Sequence, residues 1–309
     1  MSLYAGIDLG GTKIHTSVFD DQWMIIDSKR TATPKDDYQQ FLEALQSHIS
    51  WVDEKEPSNK TPIGVGVPGV IDPHSGLLRA ANLCANGQNI STDLYVQTQR
   101  QVSIVNDCKA FALSEACLGN GSDFNSVLGI SLGTGIAGGL VTKKHLLPDA
   151  NAMAGEFGHI SLPVTTAFDH KLPILDCGCG RRGCYETFVC GPGFERLGAH
   201  QTNEISPEPV TVKQWVKRYH QEDADAIKLL DTWFAILADM INDLTLCYDP
   251  DCIVFGGGMS NLPEFINKLE HALNNTVRLI SRLPVLRIAA ANEHSGARGA
   301  ALYAAEALR

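Results

Sequence analysis

Long apolar runs are missing from this chain, and so are long basic ones. With no stretch of about 18 consecutive apolar residues, no segment reads as a helix that crosses a membrane. With 25 basic against 35 acidic residues and no Lys/Arg run, a nucleic-acid partner held by phosphate contacts is not expected. The net charge of −10 opposes an anionic substrate, which would have to be met locally by backbone amides and a metal ion. No basic segment precedes an apolar stretch near the start, which reads as the absence of a signal peptide. A soluble, cytoplasmic protein is the expectation. No G-x-x-x-x-G-K-[ST] occurs, so the phosphate loop of the P-loop NTPases is excluded.

What is present is globular. The chain has 309 residues, 44% hydrophobic and 19% charged, beyond the size at which one core usually keeps growing. Two domains are expected. Six of the nine cysteines are scattered, whereas Cys177, Cys179 and Cys184 share one short segment. That clustering points to a metal in a reducing compartment rather than to disulfides.

The first thirty residues read as three strands, Leu3 to Leu9, Ile14 to Phe19 and Trp23 to Ser28, with Gly10-Gly11-Thr12-Lys13 and Asp20-Asp21 as the turns. Tyr38, Phe41, Leu42, Leu45, Ile49 and Val52 fall at helical spacing. Strands follow at Ile63 to Val67 and Val102 to Val105, and Asn106-Asp107 opens a helix through Cys117. Residues 127–135 then echo residues 4–12: an apolar strand runs into a Gly/Thr turn and out into a second β-like run. This is an internal duplication at domain scale. Further on, Ala226 to Cys247 reads as a buried helix, Cys252 to Phe255 as a strand ending in Gly256-Gly257-Gly258, and Arg298 to Leu308 as an Ala-rich helix.

Two glycine turns could hold a polyphosphate between them. Glycine lets backbone amides approach phosphate, and a Thr hydroxyl adds a donor. Asp8, at a strand end, could hold Mg²⁺ directly or through water. Gly133-Thr134-Gly135-Ile136-Ala137-Gly138 also fits G-x-G-x-x-G, but a dinucleotide site needs a helix to open there. Gly138-Gly139-Leu140-Val141-Thr142 favours a strand instead.

Three thiolates and an imidazole make a closed tetrahedral Zn²⁺ site, structural because no position is left for water. Cys177, Cys179 and Cys184 supply the thiolates; by spacing alone, His159 and Cys190 compete for the fourth place. Asp107 is the general-base candidate, with helix N-capping by Asn106 or Asp107 as the alternative role. Glu156 and Glu186 flank the cysteine segment, as site acids or as solvated surface acids.

Together these residues resemble the sugar kinases of the ROK (repressor, open reading frame, kinase) family. The likeness runs from end to end, through Asp8-Leu9-Gly10-Gly11-Thr12-Lys13, Asn106-Asp107, Leu132-Gly133-Thr134-Gly135, Gly155-Glu156-Phe157-Gly158-His159, Cys177-x-Cys179-Gly180-x-x-Gly183-Cys184-x-Glu186 and Gly256-Gly257-Gly258. It implies two RNase H-like α/β domains of the actin/hexokinase-like ATPase type, with ATP and sugar in a cleft. The domains expected are 1–118, on which a C-terminal helix (about 292–309) packs back, and 119–291 with the zinc motif.

The resemblance further implies that Asp107 takes the proton of the sugar 6-hydroxyl. Asn82, Asn106, Glu156, His159 and Glu186 would bind the sugar, His159 serving the metal as well, which favours it over Cys190. ATP and phosphate would meet Gly6, Ile7, Asp8, Leu9, Gly10, Gly11, Thr12 and Lys13, then Gly133, Thr134, Gly135, Ile136, Ala137, Gly138, Gly139 and Leu140, and Gly256, Gly257 and Gly258 on the adenosine side. The cofactors implied are ATP with Mg²⁺ and a structural Zn²⁺. The partner is a small sugar, without nucleic acid or membrane, and a homodimer is compatible with this reading. Family regulators carry a helix-turn-helix ahead of the first glycine turn. Here that turn follows Asp8, so a kinase is expected. Ala80-Ala81-Asn82-Leu83, Ile160-Ser161-Leu162-Pro163, Cys190-Gly191-Pro192-Gly193 and the long His159–Cys177 insertion resemble the subgroup that phosphorylates N-acetyl-D-glucosamine. Fructokinases and mannokinases of the family share most of the motifs and generic glucokinases have a shorter insertion, so a glucokinase, fructokinase or mannokinase is the alternative.

Overall fold

The computed structural model describes residues 2–56, 58, 60–81, 83–148, 150–203, 209–276, 282–290 and 293–307. Asn82 lies outside them, so nothing about its placement follows.

In chain order the elements are β1 (Tyr4–Leu9), β2 (Lys13–Phe19), β3 (Ile25–Ala32), α1 (Tyr38–Lys55), β4 (Ile63–Val67), β5 (Val70–Ile71), β6 (Leu78–Arg79), α2 (Ile90–Thr98), β7 (Ser103–Asn106) and α3 (Asp107–Leu118). They continue with β8 (Ser126–Leu132), β9 (Ile136–Thr142), β10 (His145–Leu146), α4 (Val164–Asp169), α5 (Glu186–Val189), α6 (Gly191–Thr202), α7 (Val212–Tyr219), α8 (Ala224–Tyr248), β11 (Cys252–Gly256), α9 (Phe265–Thr276), β12 (Val285–Ile288) and α10 (Ser295–Glu306).

The duplication read in the sequence is topological. One sheet runs β3-β2-β1-β4-β7, the other β10-β9-β8-β11-β12. In the first, β1 is antiparallel to β2 and parallel to β4, which is parallel to β7. In the second, β11 is parallel to both β8 and β12. A strand, not a helix, follows the Gly133–Gly135 turn, so the dinucleotide reading of that G-x-G-x-x-G has no structural basis.

The chain forms two compact units, residues 1–125, 139–155 and 290–309, and residues 126–138 and 156–289. This differs from a boundary at 118/119 in that 119–125 and 139–155 belong with the first unit. The cause is local: Gly139 lies against Ala112 and Lys109 of α3, and the Lys144 ammonium donates to the carbonyls of Ala116 (2.7 Å) and Ser122.

The first core forms where the apolar stripe of α1 meets the sheet. Phe41, Leu42, Leu45, Ile49 and Val52 pack on Ile14, Val18 and Ile63, each burial contributing roughly 1.5–3 kcal/mol. The β2–β3 connection is longer than expected. Trp23 sits in the left-handed region (φ 61°) and stacks on Tyr4, so β3 begins at Ile25. In the second unit α8 is buried along most of its length, and the Trp233 indole donates to the Val189 carbonyl (3.0 Å), fixing α5. The C-terminal helix starts at Ser295, earlier than the Ala-rich run suggested.

Candidate active site

In the first unit, β1 carries an acid, Asp8, one residue before its end, and α3 begins on another, Asp107. Asp8 is cross-strand partner of His15, and the glycine turn after it closes with the Gly10 amide on the Lys13 carbonyl (2.9 Å). Thr33 holds the turn from outside, its hydroxyl donating to the Gly10 carbonyl (2.7 Å) and its amide to that of Thr12 (3.1 Å). Sequence reasoning missed Thr33; nothing in a lone Thr beyond β3 signals the role. Gly11, Thr12 and Lys13 are exposed, whereas Gly6, Ile7 and Leu9 are buried in the sheet. The structure therefore brings Asp8 and Gly10 to Lys13 together and leaves Gly6, Ile7 and Leu9 as packing.

At α3 the two roles open for Asn106 and Asp107 separate. Asn106 is the cap: its side-chain oxygen accepts from the amides of Cys108 (2.9 Å) and Lys109 (3.0 Å), and its amide nitrogen donates to the Gly69 carbonyl (2.9 Å). Asp107 is the first helical residue, and its carboxylate accepts from Cys108 N–H (2.8 Å). Burial, and then the charge of Asp8, push its carboxyl up to about 6. Burial also raises Asp8, against the pull of Lys13. Two carboxyls in one shielded place cannot both ionise freely.

In the second unit the counterpart turn is Gly133–Gly135, with the Gly133 amide on the Gly135 carbonyl (3.0 Å) and Thr134 exposed. Ile136 through Leu140 lie in β9. A Cβ on Gly138 would meet the Gly129 carbonyl oxygen at 2.0 Å, so its smallness serves strand packing rather than the turn. Gly256 ends β11 and Gly257–Gly258 follow it, with Gly257 at φ 83° facing Leu132 and Gly258 exposed.

Below that turn lies the cysteine segment. One atom each from His159, Cys177, Cys179 and Cys184 lie within 4.8 Å of one another. A zinc tetrahedron with Zn–S near 2.3 Å and Zn–N near 2.05 Å has edges of about 3.8 Å between sulfurs and about 3.6 Å from sulfur to nitrogen. Cys179 Sγ and Cys184 Sγ are 3.8 Å apart, and Cys177 Sγ is 3.5 Å from His159 Nδ1. The donor set fits the ion. Cys190 does not join it: its sulfur accepts from Gly193 N–H (3.3 Å) and caps α6.

His159 uses its two nitrogens differently. Nδ1 faces the sulfurs, while Nε2 stands 3.9 Å from a Glu156 oxygen. Glu186 spans both features: one oxygen accepts from Ile136 N–H (2.9 Å) and the other is 3.8 Å from His159 Nδ1. Arg181, missed by sequence reasoning although it lies inside the cysteine motif, donates to the His159 carbonyl (2.9 Å) and the Ser161 hydroxyl (2.8 Å).

Two α/β units of one topology, each with a strand–glycine turn–strand opening, define the actin-like ATPase class. The chain belongs to the ROK family, which it matches over residues 4–307, and it is a sugar kinase. It is 38% identical over 300 residues to the N-acetylgalactosamine kinase AgaK of Shewanella sp. (strain ANA-3), covering 97% of this chain and 96% of that one. To the N-acetyl-D-glucosamine kinase of Escherichia coli O157:H7 it is 34% identical over 302 residues, covering 97% and 98%. The crystal structure of a ROK hexokinase from Thermus thermophilus superposes with a TM-score of 0.86 at 29% identity, covering 99% of each chain. Among the described residues, no helix is long and apolar enough to cross a membrane.

Proposed function

We propose that this chain transfers the γ-phosphoryl group of ATP to the 6-hydroxyl of N-acetyl-D-glucosamine in the cytoplasm, giving the 6-phosphate and ADP. The observation that carries the phosphoryl-transfer part of this reading is Asp107: shielded at the start of α3, with the cap supplied by Asn106 and its carboxyl pushed up to about 6 by burial. Such a carboxylate suits a general base at working pH. Asp107 takes the hydroxyl proton as O6 bonds to the γ-phosphorus and the bond to the ADP oxygen breaks. The transition state is loose and rich in charge, so positioning and dipoles dominate. Thr12, Thr134 and the exposed amides of their turns would donate to phosphate oxygens, and Asp8 would hold Mg²⁺. The Gly256–Gly258 loop would meet the adenosine side.

Asn106, Glu156, His159 and Glu186, with Asn82, would hold the sugar hydroxyls. The four-residue donor set would bind zinc, which when present supplies a rigid anchor. With Nδ1 so engaged, His159 would present Nε2 as the donor of a fixed ring. Arg181 stiffens the same residue through its carbonyl.

N-acetylgalactosamine, the C4 epimer, is a second reading, favoured by the 38% identity to a kinase of that name against 34% to those named for N-acetylglucosamine. A coupled ADP-release assay across N-acetylglucosamine, N-acetylgalactosamine, N-acetylmannosamine, glucose, mannose and fructose tests both. The first reading expects kcat/KM highest for N-acetylglucosamine, exceeding glucose by roughly 10–200-fold for the missing acetamido contacts. A higher value for the galacto epimer reverses the order, and a preference for an unsubstituted hexose removes both.

A further inference from the structure

The α10 backbone is sunk against its neighbours by glycines. A Cβ on Gly6 of β1 would meet the Ala297 carbonyl oxygen at 1.7 Å, and one on Gly64 of β4 that of Ala300 at 1.8 Å. On the other side, a Cβ on Gly299 would meet the Ala110 oxygen of α3 at 1.8 Å. These three absences let backbones touch. Gly296, in the first turn of the helix, is different: its missing Cβ faces a carboxylate. A side chain there would lie 2.8 Å from Asp8 Cγ and 2.9 Å from each of its oxygens. Its backbone is outside the left-handed region, so local conformation makes no demand for glycine. The acid makes it.

The helix is also held against sliding away. Ser295 donates to Glu115 (3.0 Å), Arg298 Nε donates to the Ser114 hydroxyl (2.8 Å), and Arg298 Nη2 is 3.6 Å from the fully buried Glu115. In the second unit a glycine also faces a carboxylate, with the positions exchanged: Gly135 lies in the turn and Glu186 opens α5, and a Cβ on Gly135 would stand 2.8 Å from a Glu186 oxygen.

We propose that Gly296 is a positioning residue for the phosphoryl-transfer site: it seats the Asp8 carboxylate against the first turn of α10, while Glu115 and Arg298 hold that turn in register. The role rests on the reading of Asp8 given under Proposed function. It touches neither sugar nor nucleotide and acts only through Asp8.

A double-mutant cycle isolates the contact. Gly296→Ala in the native background should lower kcat at least tenfold, leave the sugar KM within about threefold, and lower the unfolding temperature. In an Asp8→Ala background the same change has room, and alanine suits a helix better than glycine. There it should leave kcat at the Asp8→Ala level and keep or raise the unfolding temperature. The reversal of sign in thermal stability is independent of activity. If Gly296→Ala alone does not fold, a folded double variant carries the same support. An equal thermal loss in both backgrounds, or native kcat in Gly296→Ala, overturns the proposal. Native kcat in Asp8→Ala overturns the Asp8 reading itself, and the positioning role with it, whatever the thermal cycle shows.

Discussion

At Asp107 one environment has two opposite effects. Burial lifts the carboxyl from 3.8 to about 6, so the folded protein holds that proton more tightly than the unfolded chain does. Stability is therefore lost as pH rises through that window and stays lost above it. Asp107→Asn should relieve about 1–3 kcal/mol at pH 8, since the cap on Asn106 is untouched. The variant is expected to unfold several degrees higher at pH 8, a gain that vanishes below about pH 4. Its kcat should fall by roughly 10²–10⁴-fold. Retention of more than about a tenth of the native kcat would show that Asp107 is not the base. For the native enzyme, kcat/KM should decline with a one-proton slope below about pH 6, and Asp107→Asn should lack that limb. A limb that persists in the variant belongs to another group.

α1 carries a histidine where its apolar stripe meets the sheet. His48 has no exposure, and its ring nitrogens lie 2.7 Å from the Thr16 and 2.9 Å from the Thr31 hydroxyl. Burial holds it down at about 4 against an ordinary 6.5. Here the folded state binds fewer protons than the unfolded one, so stability is lost as pH falls from about 6.5 to 4, the reverse of Asp107. His48→Gln, which keeps one donor and one acceptor, should flatten that decline. The check is the unfolding temperature at pH 7 and pH 5 for both proteins; parallel slopes would assign the acid loss elsewhere. Helices α5 and α6 act at the same scale. Glu186 opens one, Cys190 caps the other, and Tyr185, whose hydroxyl donates to Asp243 (2.7 Å), ties the pair to α8.

For the whole molecule, two units of equal topology carry unequal chemistry. The four side chains that could hold a metal ion, His159, Cys177, Cys179 and Cys184, all lie in residues 156–289. Chelation should therefore raise amide hydrogen exchange around 156–190 and weaken sugar binding more than nucleotide binding, leaving α1 and α3 protected as before. Metal analysis of protein purified without chelator should give about one Zn²⁺ per chain; less than about 0.3 removes the assignment. Uniform loss of protection in both units would mean that the metal stabilises more than its own unit.

Much of this was legible in the residues. The two strand–turn–strand openings announced themselves because glycine turns and alternating apolar residues are local devices, written in adjacent positions. The cysteine cluster was legible for the same reason. Local spacing did not choose between His159 and Cys190, or between Asn106 and Asp107 as cap. Those outcomes depend on where side chains point once α5, α6 and α3 are packed. Gly138 resembled a phosphate glycine in sequence and is a packing glycine in the sheet, since only the pairing with β8 reveals Gly129 opposite it. Gly296 gave no sign at all. Its meaning comes from Asp8, nearly the whole chain away, and only the tertiary structure brings the C-terminal helix onto the first strand.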